Sequence, residues 1–592
     1  MASGLVSTFR AGGNWLVVTG IDLGTTYSGY AYSFRSDFEM DPLKITSNDW
    51  SKDGVHRPEV KAPTVILLNK DQSFNSFGYR AQKIYGDLLD EPEEASQYYF
   101  IQNFKMQLYD KMDISLEMTI EDVCGKKVPA IIVFTEAIRF LKNHCLGVFN
   151  ERDLEFTIND IFFVITVPAI WTDAAKQFMR EASERAGIEN SQMILAYEPE
   201  AAALYCSLLP ADQGIAKFFQ ENRKIMIVDL GGGTVDITVV KVIKKTDKLT
   251  YFEHVHKVEG GAWGGYQVNT QYERFLEDLF GKEIIEEFKR SNMSNFIEMM
   301  NDFEVEKKTL SDELKKVGIK ISGELRNQYQ LKHGKDIKKT LEEKFNDQIK
   351  VIGDKLKFDV EIFRSFFNEC IQHIVNLIGK TCGFKGCEYP SAMILVGGFS
   401  DSNVVRKAIK GAFPAIKTVV SPVGAVLSVL KGSVVFGHEP TIVTGRVCCK
   451  TIGVALHRPY NPAIHVQEKT FKLGGKIRVD DCFEKMFTIN EVVHLGQMKT
   501  IEVHDLLTDS QVQSRRKQPK SIEVYATQSD DPKYITDPGC VLLGRITVNP
   551  PGGNWPEVVE VYIEMKPGGT EITVRYRDKQ TGLITEGQID FI

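Results

Sequence analysis

Cysteine is scarce in this chain: 10 residues in 592, at irregular intervals. That excludes a disulfide-stapled extracellular scaffold and makes reduced thiols in a cytoplasmic or nuclear setting the expectation. Long apolar runs are absent as well. The most apolar stretches, residues 161–171 and 423–436, are short or broken by Pro, Gly, Ser and Lys. A membrane helix needs roughly 18–20 uninterrupted apolar residues, so no membrane span is expected. The opening residues carry no basic segment followed by a long apolar one. They read as a short tail leading into a first strand, and the protein is expected to be soluble and not secreted. Nor does either charge dominate: 79 acidic against 72 basic residues give a net charge of −7. Nothing electrostatic therefore points to nucleic acid as the main partner. The remainder, 43% hydrophobic and 26% charged, is ordinary globular composition. At roughly 100–200 residues per domain, the length allows about three to five structural units.

Two segments share a design. VVTGIDLGTTYSGYAYSF (17–34) and IMIVDLGGGTVDITVVKV (225–242) each run an apolar strand into Asp-Leu-Gly, turn through Gly and Thr, and leave on a second β-rich run. A duplicated α/β arrangement with a cleft between its halves is the expectation. The turn chemistry suits phosphate. Glycines let successive backbone N–H groups converge on an anion, and Thr25, Thr26 and Thr234 can add hydroxyl donors. Asp22 and Asp229 would repel phosphate directly, so their sensible role is to hold Mg²⁺ through water. A single such hairpin is common turn punctuation; the pair, with Thr in both, carries the signal.

A third glycine turn supports the pair. An apolar strand (393–396) reaches Gly397-Gly398, and a helix follows with Val404, Val405, Ala408, Ile409, Ala412 and Phe413 on one face. Ser400, Asp401 or Ser402 can cap it. Between the repeats, the continuously apolar run 161–167 reads as a buried parallel strand. Pro168 ends it, Thr172 or Asp173 caps a helix, and Gly187 closes that helix. A second strand (193–196) leads to Glu198-Pro199 at a helix start. Open α/β sheets place ligands at such strand-to-helix corners, although a carboxylate in a first helical turn is equally ordinary.

GIDLGTTYSG, ITVPAIWTDAAKQ, EPEAAAL, VDLGGGTVDITV and ILVGGFS occur in that order. In this order and spacing they resemble the heat shock protein 70 superfamily within the actin/hexokinase-like ATPase fold. In detail the sequence is more similar to the divergent heat shock 70 kDa protein 12-like branch. The resemblance implies an α/β fold: a duplicated actin/hexokinase/heat-shock-70-like ATPase domain over residues 15–440, its second half opening near 224. A carboxy-terminal mainly-β domain over 445–592, β-sandwich-like and without a helical lid, would follow. It also implies ATP or ADP with Mg²⁺ in the central cleft. By motif position, Gly24, Thr25, Thr26 and Tyr27 would line the first phosphate loop beside Asp22. Gly231, Gly232, Gly233 and Thr234 would form the second beside Asp229, with Gly397 and Gly398 at the third corner. Glu198 would stand near the attacking water, with Asp229 and Asp236 organising metal and water. FKMQLY resembles the segment carrying the family's catalytic lysine, which makes Lys105 its counterpart. FEVEKKTLSDEL resembles the adenosine-contacting helix, placing Glu304, Lys307 and Lys308 near ribose or base.

Departures cluster on the base side. Family chaperones commonly have Arg where Lys308 stands, and Lys lacks the planar face that stacks on adenine. Phe399, Asp401 and Val423 stand where the family usually has Ser, Arg and Asp. The phosphate side is retained while the adenosine side drifts.

Elsewhere, Tyr272, Phe275, Leu276, Leu279 and Phe280 mark an amphipathic helix, and the Lys/Glu-rich region 304–357 reads as a solvated helical subdomain with some β-structure. Phe363, Phe366, Phe367, Cys370, Ile371, Ile374 and Val375 read as one core-facing helical stripe. Beyond about 444 the texture becomes short alternating strands, such as Val559, Val561, Ile563 and Met565. The usual acidic-Leu linker, long lid and Glu-Glu-Val-Asp tail do not appear, which argues against standard client clamping. Cys382 and Cys387 lack a second ligand pair for zinc. Cys448-Cys449 reads as two thiols on opposite strand faces, His254 and His256 as imidazoles on one strand face, and 515–520 as a basic loop. The expected function is an ATP-binding, nucleotide-dependent chaperone-like or regulatory switch with slow hydrolysis, working with protein partners that the sequence does not name. The alternatives are a non-hydrolysing nucleotide-binding scaffold, a small-molecule kinase of the same fold, or an actin-like filament former. Oligomeric state stays open.

Overall fold

The computed structural model describes residues 15–50, 59–109, 111, 113–473, 475–506, 513–568 and 571–588, and these form two compact units. One comprises residues 14–250 and 258–440; the other comprises 251–257 with 441–592.

The larger unit contains two sheets of like order. In the first, Val17–Asp22 turns antiparallel into Tyr27–Phe34 and lies parallel to Ile161–Val167, which lies parallel to Met193–Tyr197. In the second, Lys224–Leu230 turns antiparallel into Val235–Lys245 and lies parallel to Ala392–Val396, then to Val419–Val420. The central parallel strands are apolar nearly throughout because helices cover both faces. Helix Asp173–Arg185 starts where the Thr172 hydroxyl accepts from the Ala175 amide, and buries Ala175, Phe178, Met179 and Ala182. Helix Glu198–Leu208 follows its strand directly, with Pro199 in the first turn.

Helix Ser428–His438 is apolar nearly all round, with Val429, Leu430, Val434, Val435 and Phe436 buried. It packs on Glu198–Leu208 and on strands Val17–Asp22 and Ile161–Val167, so the chain returns from the second sheet to the first. Small residues allow this approach: a Cβ on Gly432 would collide with the Ala201 carbonyl, and one on Gly437 with Val18 and Val164.

Five local readings need correction. The stripe beginning at Phe363 is two helices, Val360–Ser365 and Asn368–Cys382, broken where Phe366 and Phe367 turn into the core. On helix Asn403–Ala412 only Val405 and Ile409 are fully buried, and Ala412 is exposed. Cys448 and Cys449 lie between strands Val443–Val447 and Thr451–Pro459, not on a strand. The basic run is a 3₁₀ turn, Gln513–Lys517, feeding strand Lys520–Thr527, and His256 lies past the end of strand Thr250–His254.

In the smaller unit, one antiparallel sheet runs Thr470–Leu473, Lys476–Phe487, Thr451–Pro459, Lys520–Thr527, Val541–Val548. A second runs Lys499–Leu506, Val558–Gly568, Glu571–Asp578, Ile584–Gln588. Val454, Val524 and Ile546 of the first share one core with Val561, Ile563, Met565 and Val574 of the second. The period-2 alternation of Val559, Val561, Ile563 and Met565 thus points one strand face into that core. Among the described residues no helix is long and apolar enough to cross a membrane.

Candidate functional site

A cleft of about 400 Å³ in the larger unit is lined by the turns of both hairpins and by the Gly397-Gly398 corner. The first turn, residues 23–26, is buttressed from outside. The Thr64 hydroxyl donates to the Gly24 carbonyl at 2.8 Å, its amide donates to the Thr26 carbonyl at 2.8 Å, and Thr64 Oγ1 lies 2.7 Å from Ser28 Oγ. The second turn is held by the start of helix Tyr266–Phe280. The amides of Gly264, Gly265 and Tyr266 donate to the carbonyls of Gly233, Gly231 and Gly232 at 3.0, 3.1 and 2.7 Å. With those carbonyls engaged, nothing among the described residues accepts from the Gly232 and Gly233 amides, as an anion-binding nest requires. A Cβ on Gly232 or Gly233 would collide with Thr26 or Thr25 of the opposite turn. The two loops therefore face each other at backbone distance.

The floor of the cleft is charged. Lys105, only 4% exposed, sits in a 3₁₀ turn, Phe104–Leu108, and places its ammonium 2.5 Å from Glu198 Oε1 and 5.5 Å from the Trp171 ring centre. Burial opposes the Lys105 charge, but Glu198 and Asp22 outweigh it and hold the pKa above the usual lysine value. Burial raises the pKa of Glu198 against the pull of Lys105. Both Asp22 oxygens are engaged: Lys61 Nζ lies 2.5 Å from Oδ2, and the Thr166 hydroxyl donates to Oδ1 at 2.9 Å. Burial pushes the Asp22 pKa up, but Lys61 and Lys105 bring it below the ordinary carboxylate value.

Asp229 differs. Its side chain has no hydrogen-bond or ion-pair partner among the described residues. Burial first, then Glu198, Asp236 and Asp22, push its pKa far up. A buried, unpaired carboxylate among like charges fits a site that receives a cation. Asp236 stands opposite Asp229 across the hairpin but does not line the cleft. It is 1% exposed and accepts from the Ile170 amide at 3.1 Å, and burial with Glu198 raises its pKa to about 7. It holds Ile170, just past the strand Ile161–Val167, and accepts from the Thr234 hydroxyl of the second turn, so it touches the cleft lining without facing the cleft itself.

At the other end, Lys307 is buried and fully engaged. It donates to the Gly265 carbonyl at 3.0 Å and to Asn269 Oδ1 at 2.7 Å, and pairs with Glu304 at 2.5 Å. Lys308 reaches across to the first hairpin, donating to the Tyr27 hydroxyl at 2.8 Å with its ammonium 4.1 Å from the ring centre. Phe399 and Asp401 line this end with Val426 and Val429, whereas Val423 is 81% exposed and takes no part. Gly397 has a positive φ of 82°, and a Cβ there would strike Asp229.

The structure thus brings together every sequence-predicted residue except Asp236 around one cleft. Sequence reading missed Lys61, Thr166 and Asn269. Thr166 lies within the strand Ile161–Val167, two residues before Pro168, a position a motif reading could flag, while Lys61 and Asn269 carry no local signal. A wider surface depression of about 1080 Å³ between residues 69–73 and 91–98 gathers mainly surface acidic and amide side chains without a buried charged group.

The family model for Hsp70 protein matches residues 81–415, more than half of the chain. Human heat shock 70 kDa protein 12A is 29% identical over 98% of this chain and 92% of its own length. Human heat shock 70 kDa protein 12B is 29% identical over 97% and 91%. The chaperone protein DnaK of Buchnera aphidicola subsp. Schizaphis graminum (strain Sg) is 38% identical over a shorter region, 20% of this chain and 17% of its own. The near-full-length likeness is to the divergent 12A and 12B proteins.

Proposed function

The chain belongs to the Hsp70 family, and from that premise we propose that it is an ATP/ADP-binding, chaperone-like or regulatory switch with slow hydrolysis, acting in the cytoplasm or nucleus. The observation that carries this reading is the facing pair of glycine-threonine turns over the Lys105–Glu198 ion pair. Phosphates would lie between the turns, met by the Gly232 and Gly233 amides and by Thr25, Thr26 and Thr234. Adenosine would extend toward Tyr266, Glu304, Lys308 and Phe399. Mg²⁺, when bound, neutralises phosphate oxygens, and Asp229 is the residue best suited to hold it through water. In this reading residues 15–440 form two halves of common origin around the nucleotide, and residues 445–592 form a β-sandwich-like domain without a helical lid.

In hydrolysis, water attacks the γ-phosphorus in line as the β–γ bridging oxygen leaves with ADP. Lys105 offers positive charge to the γ-phosphoryl oxygens, and Glu198, held by Lys105, orients the water. Calorimetry of the full chain with ATP, ADP and AMP, with and without Mg²⁺, tests the reading together with single-turnover hydrolysis. Binding should strengthen from AMP to ADP, because the loops address phosphates. Glu198→Gln should keep nucleotide affinity within about threefold and slow single-turnover hydrolysis by about 10²-fold or more. Folded protein that binds no nucleotide overturns the proposal.

A scaffold reading without turnover is favoured by one feature, the departure at Phe399 and Asp401 on the base side. Tight nucleotide binding with no detectable hydrolysis, unchanged by Glu198→Gln, would select it.

A further inference from the structure

Lys61 belongs to no recognised motif, yet it stands at the phosphate end of the cleft. It immediately precedes the short strand Ala62–Pro63, whose pairing with Tyr27 and Ser28 fixes its backbone beside the first hairpin. Opposite Asp22 across that hairpin is Gly29, and a Cβ at Gly29 would approach Lys61 Cγ at 3.2 Å. The lysine stem therefore lies over bare backbone. In the second hairpin the position opposite Asp229 is Asp236. The two hairpins, alike in course, thus differ in charge: Asp22 faces a glycine and is neutralised by Lys61, whereas Asp229 faces a second carboxylate. One aspartate holds an ammonium at 2.5 Å, with the lysine side chain 10% exposed, while the other has three carboxylates, Glu198, Asp236 and Asp22, raising its pKa against a weaker opposing pull from Lys61.

We propose that Lys61 is a resident counter-cation for nucleotide phosphate, serving on the Asp22 side of the cleft as a divalent ion would on the Asp229 side. The inference rests on the nucleotide-binding reading above. An ammonium has three donors. One is used on Asp22, and the others can meet a phosphate oxygen without displacing the pair. Separating a desolvated ion pair is costly, so this cation stays in place whether or not divalent ions are present. Asp22, already neutralised, then leaves the divalent ion to Asp229.

Titration calorimetry of the full-length protein with ADP, in excess Mg²⁺ and in excess EDTA, decides the matter. Wild type should bind in EDTA within about tenfold of its affinity in Mg²⁺. Lys61→Met should lose at least about tenfold more affinity in EDTA than in Mg²⁺, because bare Asp22 then repels phosphate and recruits metal. Lys61→Arg should keep the wild-type ratio. If Lys61→Met fails to fold, the double variant Asp22→Asn/Lys61→Met removes both charges; it no longer repels phosphate through Asp22, but without the ammonium its phosphate has no counter-cation in EDTA, so it should still show a selective loss there, smaller than that expected of Lys61→Met. Equal losses in both conditions, or wild type that binds ADP in Mg²⁺ but not in EDTA, overturns the Lys61 assignment alone. A folded wild type that binds in neither condition overturns the nucleotide reading and this inference with it.

Discussion

Gly432→Val should lower the melting temperature of the larger unit by about 2 °C or more, whereas Gly411→Ala should leave it within about 1 °C of wild type. The two glycines sit in successive helices, Asn403–Ala412 and Ser428–His438, so intrinsic helix propensity favours both replacements or is neutral. Their surroundings differ. Nothing lies within 4 Å of a Cβ at Gly411, while one at Gly432 would overlap the Ala201 carbonyl carbon and oxygen. Ala201 is backbone in the buried helix Glu198–Leu208, so no flexible side chain can swing away. Relief requires the two helices to part, and overpacking of this kind costs about 1–3 kcal/mol or more. The displacement also reaches the cleft, because Glu198 begins one helix and Val429 of the other lines the site. Differential scanning calorimetry, with near-ultraviolet circular dichroism as a check on packing, reads the effect. A Gly432→Val protein that melts with wild type would show that the helices do not meet as described.

What the sequence made legible was what short-range rules govern. Both hairpins, the Gly397-Gly398 corner, the Thr172 cap and the Pro199 helix start follow from glycine freedom, capping and period-2 burial within a dozen residues. The stripe 363–375 misled because an apolar face is continuous even where the helix is not; Phe366 and Phe367 are buried at the break as they would be within a helix. Asp236 was legible as a partner of Asp229 but not as a residue turned to the Ile170 amide, since that contact joins segments far apart in the chain. Lys61 and Lys307 make the same point. Lys61 acquires its role from a two-residue strand that pairs with Tyr27 and Ser28. Lys307, expected at the ribose, spends its donors on Gly265, Asn269 and Glu304 and braces the second glycine turn from below. Motif spacing finds loops that bind phosphate; it does not find the distant charges that set their potential.

That potential gives Asp229→Asn a paired outcome: a more stable nucleotide-free protein and a weaker Mg²⁺-dependent complex. In the folded protein, burial and the carboxylates of Glu198, Asp236 and Asp22 push the Asp229 pKa far above its ordinary 3.8. The folded state therefore holds this proton more tightly than the unfolded chain. Stability from this group is fully present below about pH 4 and is lost as pH rises from there through the raised value in the fold. Asn does not ionise, so the variant escapes that loss. Its melting temperature should exceed that of wild type by about 2–4 °C at pH 8, and the gap should narrow as pH is lowered toward 5. With Mg²⁺ and ADP the order reverses, because the unpaired carboxylate is the group suited to hold the cation through water. Removing its charge should abolish most of the Mg²⁺-dependent gain in ADP affinity, a gain of up to about tenfold in wild type, leaving affinity in EDTA unchanged or slightly improved. Scanning calorimetry from pH 5 to 8 and titration calorimetry with and without Mg²⁺ measure the two halves separately. A variant less stable than wild type across the whole pH range would mean that Asp229 is paired in the fold. An unaltered Mg²⁺ dependence would mean that the cation is held elsewhere. The same carboxylate that burdens the empty cleft is, on this account, what makes the cleft accept a metal-bound nucleotide.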